Sequence, residues 1–157
     1  MSVDDLDRAL AVIGQHEGEA SFVGPRAELL VRTAEKALGL KLPPTYRRFV
    51  RALGAGSFGA AEVYGVIDAD FERSSAPDAV WATLRAREEN DLPADLLILG
   101  HEDDEITCLR IRPGDEEGPV LVIHAGEDEA LVGARVVAPD FGRYLLTRVE
   151  EELEAIP

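Results

Sequence analysis

Leu40-Lys41-Leu42-Pro43-Pro44-Thr45-Tyr46-Arg47-Arg48-Phe49-Val50, then Gly54-Ala55-Gly56-Ser57-Phe58-Gly59, then Glu62-Val63-Tyr64-Gly65-Val66, form an ordered series of helix, glycine turn and strand. Pro43-Pro44 breaks whatever precedes it, since proline lacks an N–H and clashes with a preceding turn. Tyr46, Phe49, Val50 and Leu53 then recur at i, i+3, i+4 and i+7, the spacing of one buried helical face. Gly54 ends that helix. Residues 61–67 read as a strand in which short side chains alternate with Glu62, Tyr64 and Val66. Gly54 to Gly59 also matches G-x-G-x-x-G, but a dinucleotide site needs a strand before the glycines and a helix after them. Here the order is reversed, so the glycines read as turn residues.

Upstream, Val3, Leu6, Leu10 and Ile13 predict a first helix stopped at Gly14. Residues 15–24 read as a loop. Pro25 is placed to open a second helix with Leu29, Leu30, Ala34, Ala37 and Leu38 inward and Gly39 as a left-handed cap. Downstream, Ser75-x-x-Asp78 resembles a capping box ahead of a helix from about Pro77 to Asn90. Leu96–Leu99, Glu105–Ile111, Val120–His124 and 131–137 read as strands. Pro139-Asp140 opens a last helix with Phe141, Tyr144, Leu145, Val149 and Leu153 inward. Short turns between the late strands imply antiparallel pairing. The expected fold is α+β, one domain over residues 1–157, with helices around a mostly antiparallel mixed sheet.

The 157 residues carry a net charge of −15 and a mean hydropathy of −0.06. Residues 1–75 hold 11 Asp/Glu against 9 Lys/Arg, whereas residues 76–157 hold 20 against 7, a net of −13. Such a field repels nucleic acid and anionic membrane and attracts cationic partners. The single cysteine, Cys108, lies in a strand pattern and reads as a small core residue. With no apolar run of spanning length and no signal-peptide pattern at the start, a cytoplasmic location is expected.

No catalytic set stands out, so no enzyme, cofactor or metal is expected. Ser21 and Ser57 lack a nucleophile-elbow context. His101-Glu102-Asp103-Asp104 offers hard oxygens but not the calcium-loop pattern, and a solvated turn is the simpler reading. Arg47, Arg48 and Arg51 group on the third helix, to pair with the acidic surface or to contact a partner, with a solvated helix face as the default reading. Acidic clusters mark four turns or strand edges: Asp68-Ala69-Asp70-x-Glu72, Glu102-Asp103-Asp104-Glu105, Asp115-Glu116-Glu117 and Glu127-Asp128-Glu129. Gathered at one end of a sheet, several of them would make a negative patch able to mimic nucleic-acid phosphates in the basic groove of a nuclease. Tyr64 and Phe71 read as core; Trp81 fits either core packing or a partner anchor. The residues expected to bind a partner are Asp68, Asp70, Glu72, Trp81, Glu102, Asp103, Asp104, Glu105, Glu127, Asp128 and Glu129.

Leu40-x-Leu42-Pro43-x-x-Tyr46-x-x-Phe49, the Gly54–Gly59 turn and Val63-Tyr64-Gly65 resemble the SUKH superfamily, the Smi/Knr-type domain. The later order of strand, acidic turn, strand pair and final helix is similar to that family too. Gly100-His101-Glu102-Asp103-Asp104 departs from it, being longer than the usual glycine/acidic turn. The resemblance implies an α+β domain without catalysis. For bacterial members it implies an immunity protein that neutralises a polymorphic toxin, often a nuclease, by direct binding. The alternative it implies is a general interaction or regulatory module with no toxin partner. No contact residue carries over, because the motif is structural.

Overall fold

The computed structural model describes residues 2–124 and 134–156. Their order is α1 (Ser2–Gln15), β1 (Ala20–Phe22), α2 (Glu28–Leu38), α3 (Pro44–Leu53), β2 (Gly56–Phe58), β3 (Ala61–Val63), α4 (Ala79–Asn90), β4 (Leu96–Glu102), β5 (Glu105–Arg110), β6 (Val120–His124), β7 (Arg135–Ala138) and α5 (Phe141–Ala155). The fold is α+β. Its strands part into two antiparallel sheets, β1-β2-β3 and β4-β5-β6-β7.

The deciding stretch builds the centre. Pro44 occupies the first turn of α3, where its missing N–H is harmless. Tyr46, Phe49 and Val50 are fully buried, as their spacing requires. Phe141 from α5 meets Tyr46 edge-on at 5.0 Å and Phe49 at 5.3 Å between ring centroids. Such aromatic pairs contribute about 0.5–1.5 kcal/mol beyond their burial. The Tyr46 hydroxyl donates to the Tyr64 carbonyl at 2.9 Å, so the helix is tied to the segment after β3. Burial pushes the Tyr46 phenol far above its ordinary range, leaving it a neutral donor.

Two glycines let backbones cross there. Val66 donates to the Gly54 carbonyl at 3.1 Å. A Cβ on Gly65 would lie 1.8 Å from that same carbonyl oxygen, and Gly54 itself has φ +76°. The Gly54–Gly59 series is therefore only partly a turn. Gly56–Phe58 is a strand paired with β1 on one side and β3 on the other, and the reversal is confined to Gly59-Ala60. Glycine was read as turn chemistry where it serves close backbone approach.

Other expectations are corrected similarly. Residues 15–24 hold a short 3-10 turn, Glu17–Glu19, and β1, so the expected loop is partly ordered. Helix α1 runs through Gly14 to Gln15. Helix α2 begins at Glu28, not at Pro25, and buries Val31, Ala34 and Leu38, leaving Leu29 and Ala37 exposed. Gly39 does take the left-handed cap, with φ 69°. Strand β3 ends at Val63, and Tyr64 and Val66 both turn inward.

The cap of α4 is Asp78, not Ser75: its Oδ1 accepts from the Val80 and Trp81 amides at 2.9 and 3.0 Å. Ser74 donates to its other oxygen at 2.9 Å. Strand β4 lies at one edge of the second sheet, where Ile98 N–H donates to Thr83 Oγ1 of α4 at 2.9 Å, and Leu145, Leu146 and Val149 of α5 are buried. Strand β7 starts at Arg135; positions 131–133 of the expected strand lie outside the described residues.

Candidate partner-binding face

The arginines of α3 are used within the molecule. Arg47 Nη1 donates to Glu35 Oε1 at 2.7 Å and its other terminal nitrogen reaches Glu28. Arg51 Nη1 donates to Glu28 Oε2 at 2.7 Å, and Arg48 pairs with Asp7. Glu35 also accepts from the Leu42 amide at 2.8 Å, fixing the chain ahead of the prolines. These charges hold α1, α2 and α3 together.

The acidic turns divide between structural and solvent-facing roles. In the β5–β6 connection, Glu117 accepts from the Thr45 amide at 3.1 Å and from the Thr45 hydroxyl at 2.6 Å. It is a cap supplied from a distance to the first turn of α3, whose amides have no helical partner. Burial pushes the Glu117 carboxyl upward, against the pull of the Thr45 hydrogen bonds.

This connection lies at the opposite end of the sheet from the β4–β5 turn, because β5 runs from one to the other. Asp68, Asp70 and Glu72 are exposed in the loop after β3, where Asp68 accepts from the Asp70 amide at 2.9 Å. Tyr64 donates to the Leu99 carbonyl at 2.8 Å, while the Glu62 carbonyl lies beside Gly100. Trp81 is half-buried on α4 with the Arg85 guanidinium 5.6 Å from its ring centroid. Phe71 packs against the core. Glu127, Asp128 and Glu129 lie outside the described residues. The acidic turns thus do not all gather at one end.

The β4–β5 hairpin is an acidic feature with a concave neighbour. A bulge between Ile98 and Gly100 shifts the register, after which His101 faces Ile106 and Glu102 faces Glu105. Asp103 takes φ 53° at the tip, a left-handed conformation that aspartate tolerates. Glu102, Asp103 and Asp104 are exposed and Glu105 is half-buried. Between this hairpin and α5 lies a pocket of about 330 Å³. Thr107 and Tyr144 are among the residues that line it. Burial pushes the Tyr144 phenol upward, and Glu102 and Glu151 add to the effect while Arg148 opposes it.

Arg148 reaches across to Glu102 at 3.6 Å and along its helix to Glu151 at 3.3 Å. Arg135 approaches Glu105 at 3.7 Å. Glu62 of β3 completes the rim. Two of the sequence-derived residues, Glu102 and Glu105, are brought together here. Tyr144, Thr147, Arg148 and Glu151 were missed, although their spacing of i, i+3, i+4 and i+7 marks a second, polar stripe on α5. Glu62 and Arg135 reach the pocket only by tertiary pairing and leave no local signal.

Cys108 is buried, its thiol pushed up to about 12 by desolvation, which suits a core residue. Among the described residues no group of three His, Cys, Asp or Glu is placed to hold a metal ion. No described helix is long and apolar enough to cross a membrane. A SUKH-type family model described as SMI1-KNR4 cell-wall matches residues 2–150. No curated protein matches the chain.

Proposed function

The chain belongs to the SMI1-KNR4 cell-wall family, and from that premise we propose that it is a non-catalytic immunity protein. It neutralises a basic toxin domain, a nuclease for preference, by direct binding in the cytoplasm. The contact face is the acidic β4–β5 hairpin, with Asp68, Asp70, Glu72 and Trp81 as outlying contributors and Glu127, Asp128 and Glu129 assigned from sequence alone. The observation that carries this reading is the run of four carboxylates, Glu102 to Glu105, the first three exposed, whose two ends line a charged pocket.

The run lies in the half of the chain with a net charge of −13. Carboxylates held this way speed encounter with a cationic surface more than they tighten the final complex. Other acidic groups are already engaged: Glu28, Glu35 and Glu117 serve the scaffold. Co-expression with the toxin-like product of the adjacent gene tests the reading. Rescue of growth and a salt-weakened complex are expected. Absence of both rescue and complex would overturn it.

A further inference from the structure

We propose that the pocket between the β4–β5 hairpin and α5 receives one arginine side chain projecting from the protein partner. This rests on the immunity reading and names the anchor within it. The cavity, about 330 Å³, sits at the lower end of the range, roughly 300–1,000 Å³, in which proteins enclose small ligand groups. Four carboxylates, Glu62, Glu102, Glu105 and Glu151, line it against two guanidinium groups, Arg135 and Arg148. The surplus is negative, and among the described residues Glu62 has no cationic partner.

The internal pairs are loose. Arg148 and Arg135 stand 3.3 to 3.7 Å from their carboxylates, whereas a tight charge-assisted N–H···O bond spans about 2.7–2.9 Å. A carboxylate offers about four lone-pair sites, so these oxygens retain capacity for another donor. The pocket therefore already holds guanidinium groups at its edge and has acceptors for one more inside. A guanidinium suits it better than an ammonium, because a planar fork can bridge two carboxylates and lie against the Tyr144 ring. Gly100 is a buried part of the lining. Gly100 faces Thr107 across the hairpin, and a Cβ built on it would meet only the Glu62 carbonyl oxygen, at 3.7 Å. A valine there would therefore narrow the pocket without displacing backbone.

The test titrates the full isotope-labelled chain with acetyl-Gly-Arg-Gly-amide, following amide shifts by NMR, with lysine and citrulline peptides in parallel. Saturable shifts confined to residues 100–107 and 144–151 are expected with arginine, several-fold weaker binding with lysine, and none with citrulline. Gly100→Val and Glu62→Gln should each weaken the arginine peptide by about tenfold. Asp115→Asn with Glu116→Gln, which removes more charge at the opposite end of the sheet, should change it less than about twofold.

Equal binding of lysine, shifts spread over all acidic turns, or indifference to both pocket variants would overturn the assignment. If Gly100→Val unfolds the chain, Glu62→Gln decides alone. A toxin complex untouched by the pocket variants keeps the immunity reading and removes the pocket from it. Arginine-peptide binding here without any toxin complex does the reverse.

Discussion

Arg47 and Arg148 are alike in exposure, at 25% and 27%, and each reaches two carboxylates, yet they do different work. Arg47 donates at 2.7 Å to Glu35, itself only 16% exposed, and the same glutamate holds the Leu42 amide. Arg148 stands 3.6 Å from Glu102, which is 77% exposed, and 3.3 Å from Glu151. The first pair is enclosed, short and shared with backbone, so its loss strands other groups. The second is long and solvated, so it adds little to folding and is free to exchange partners. Both are arginine–glutamate pairs by residue type; geometry separates them. The chain builds a scaffold from tight pairs around the deciding stretch and carries its loose carboxylates on the hairpin and α5.

The contrast can be broken most sharply at the scaffold. Gly65→Ala puts a methyl group 1.8 Å from the Gly54 oxygen. Its expected cost, read by urea denaturation, is about 3 kcal/mol or more. Glu35→Ala leaves Arg47 with Glu28 alone and strands the Leu42 amide, and a loss of about 2 kcal/mol is expected; a loss below about 0.5 kcal/mol would erase the distinction from a surface pair.

Glu117 tests the remote cap through pH. Its carboxyl is held above its ordinary value of 4.5, chiefly by burial, so the native state keeps the proton longer than the unfolded chain. Its contribution is complete below pH 4.5 and declines as pH rises through the folded value. Glu117→Gln should flatten that part of the stability profile, compared by denaturation at a series of pH values. The smallest effect belongs to the hairpin: Glu102→Gln should change stability by less than about 0.5 kcal/mol, measured in the same way. A larger loss would make the rim part of the scaffold.

Much of the fold was legible because its signals are local. The Tyr46, Phe49, Val50 stripe, the Gly39 cap and the β4, β5 and β6 runs follow from spacing within one element. What was not legible depended on partners distant in the chain. Ala20–Phe22 has too few residues to show alternation and becomes a strand only beside β2. Gly56 reads as a turn until the Ser21 carbonyl is seen 2.1 Å from where its Cβ would be.

The candidate site divides the same way. The Glu102–Glu105 turn was visible as charge between two strand patterns, and its exposure followed. The pocket behind it needed β3, β7 and α5 to converge, which no local pattern encodes. Conversely, Glu117 read as another acidic surface residue, although the Thr45 hydroxyl and amide claim it for the scaffold.

The most direct test of the account is the affinity of the purified chain for the proposed toxin partner, sought as the product of the adjacent gene, measured by calorimetry at low and high salt. Wild-type binding should weaken by tenfold or more between about 50 and 500 mM salt, since exposed charges are screened over that range. Reversal of Glu102, Asp103 and Asp104 to lysine should abolish it while the protein stays folded. A complex indifferent to salt and to that reversal would contradict the account.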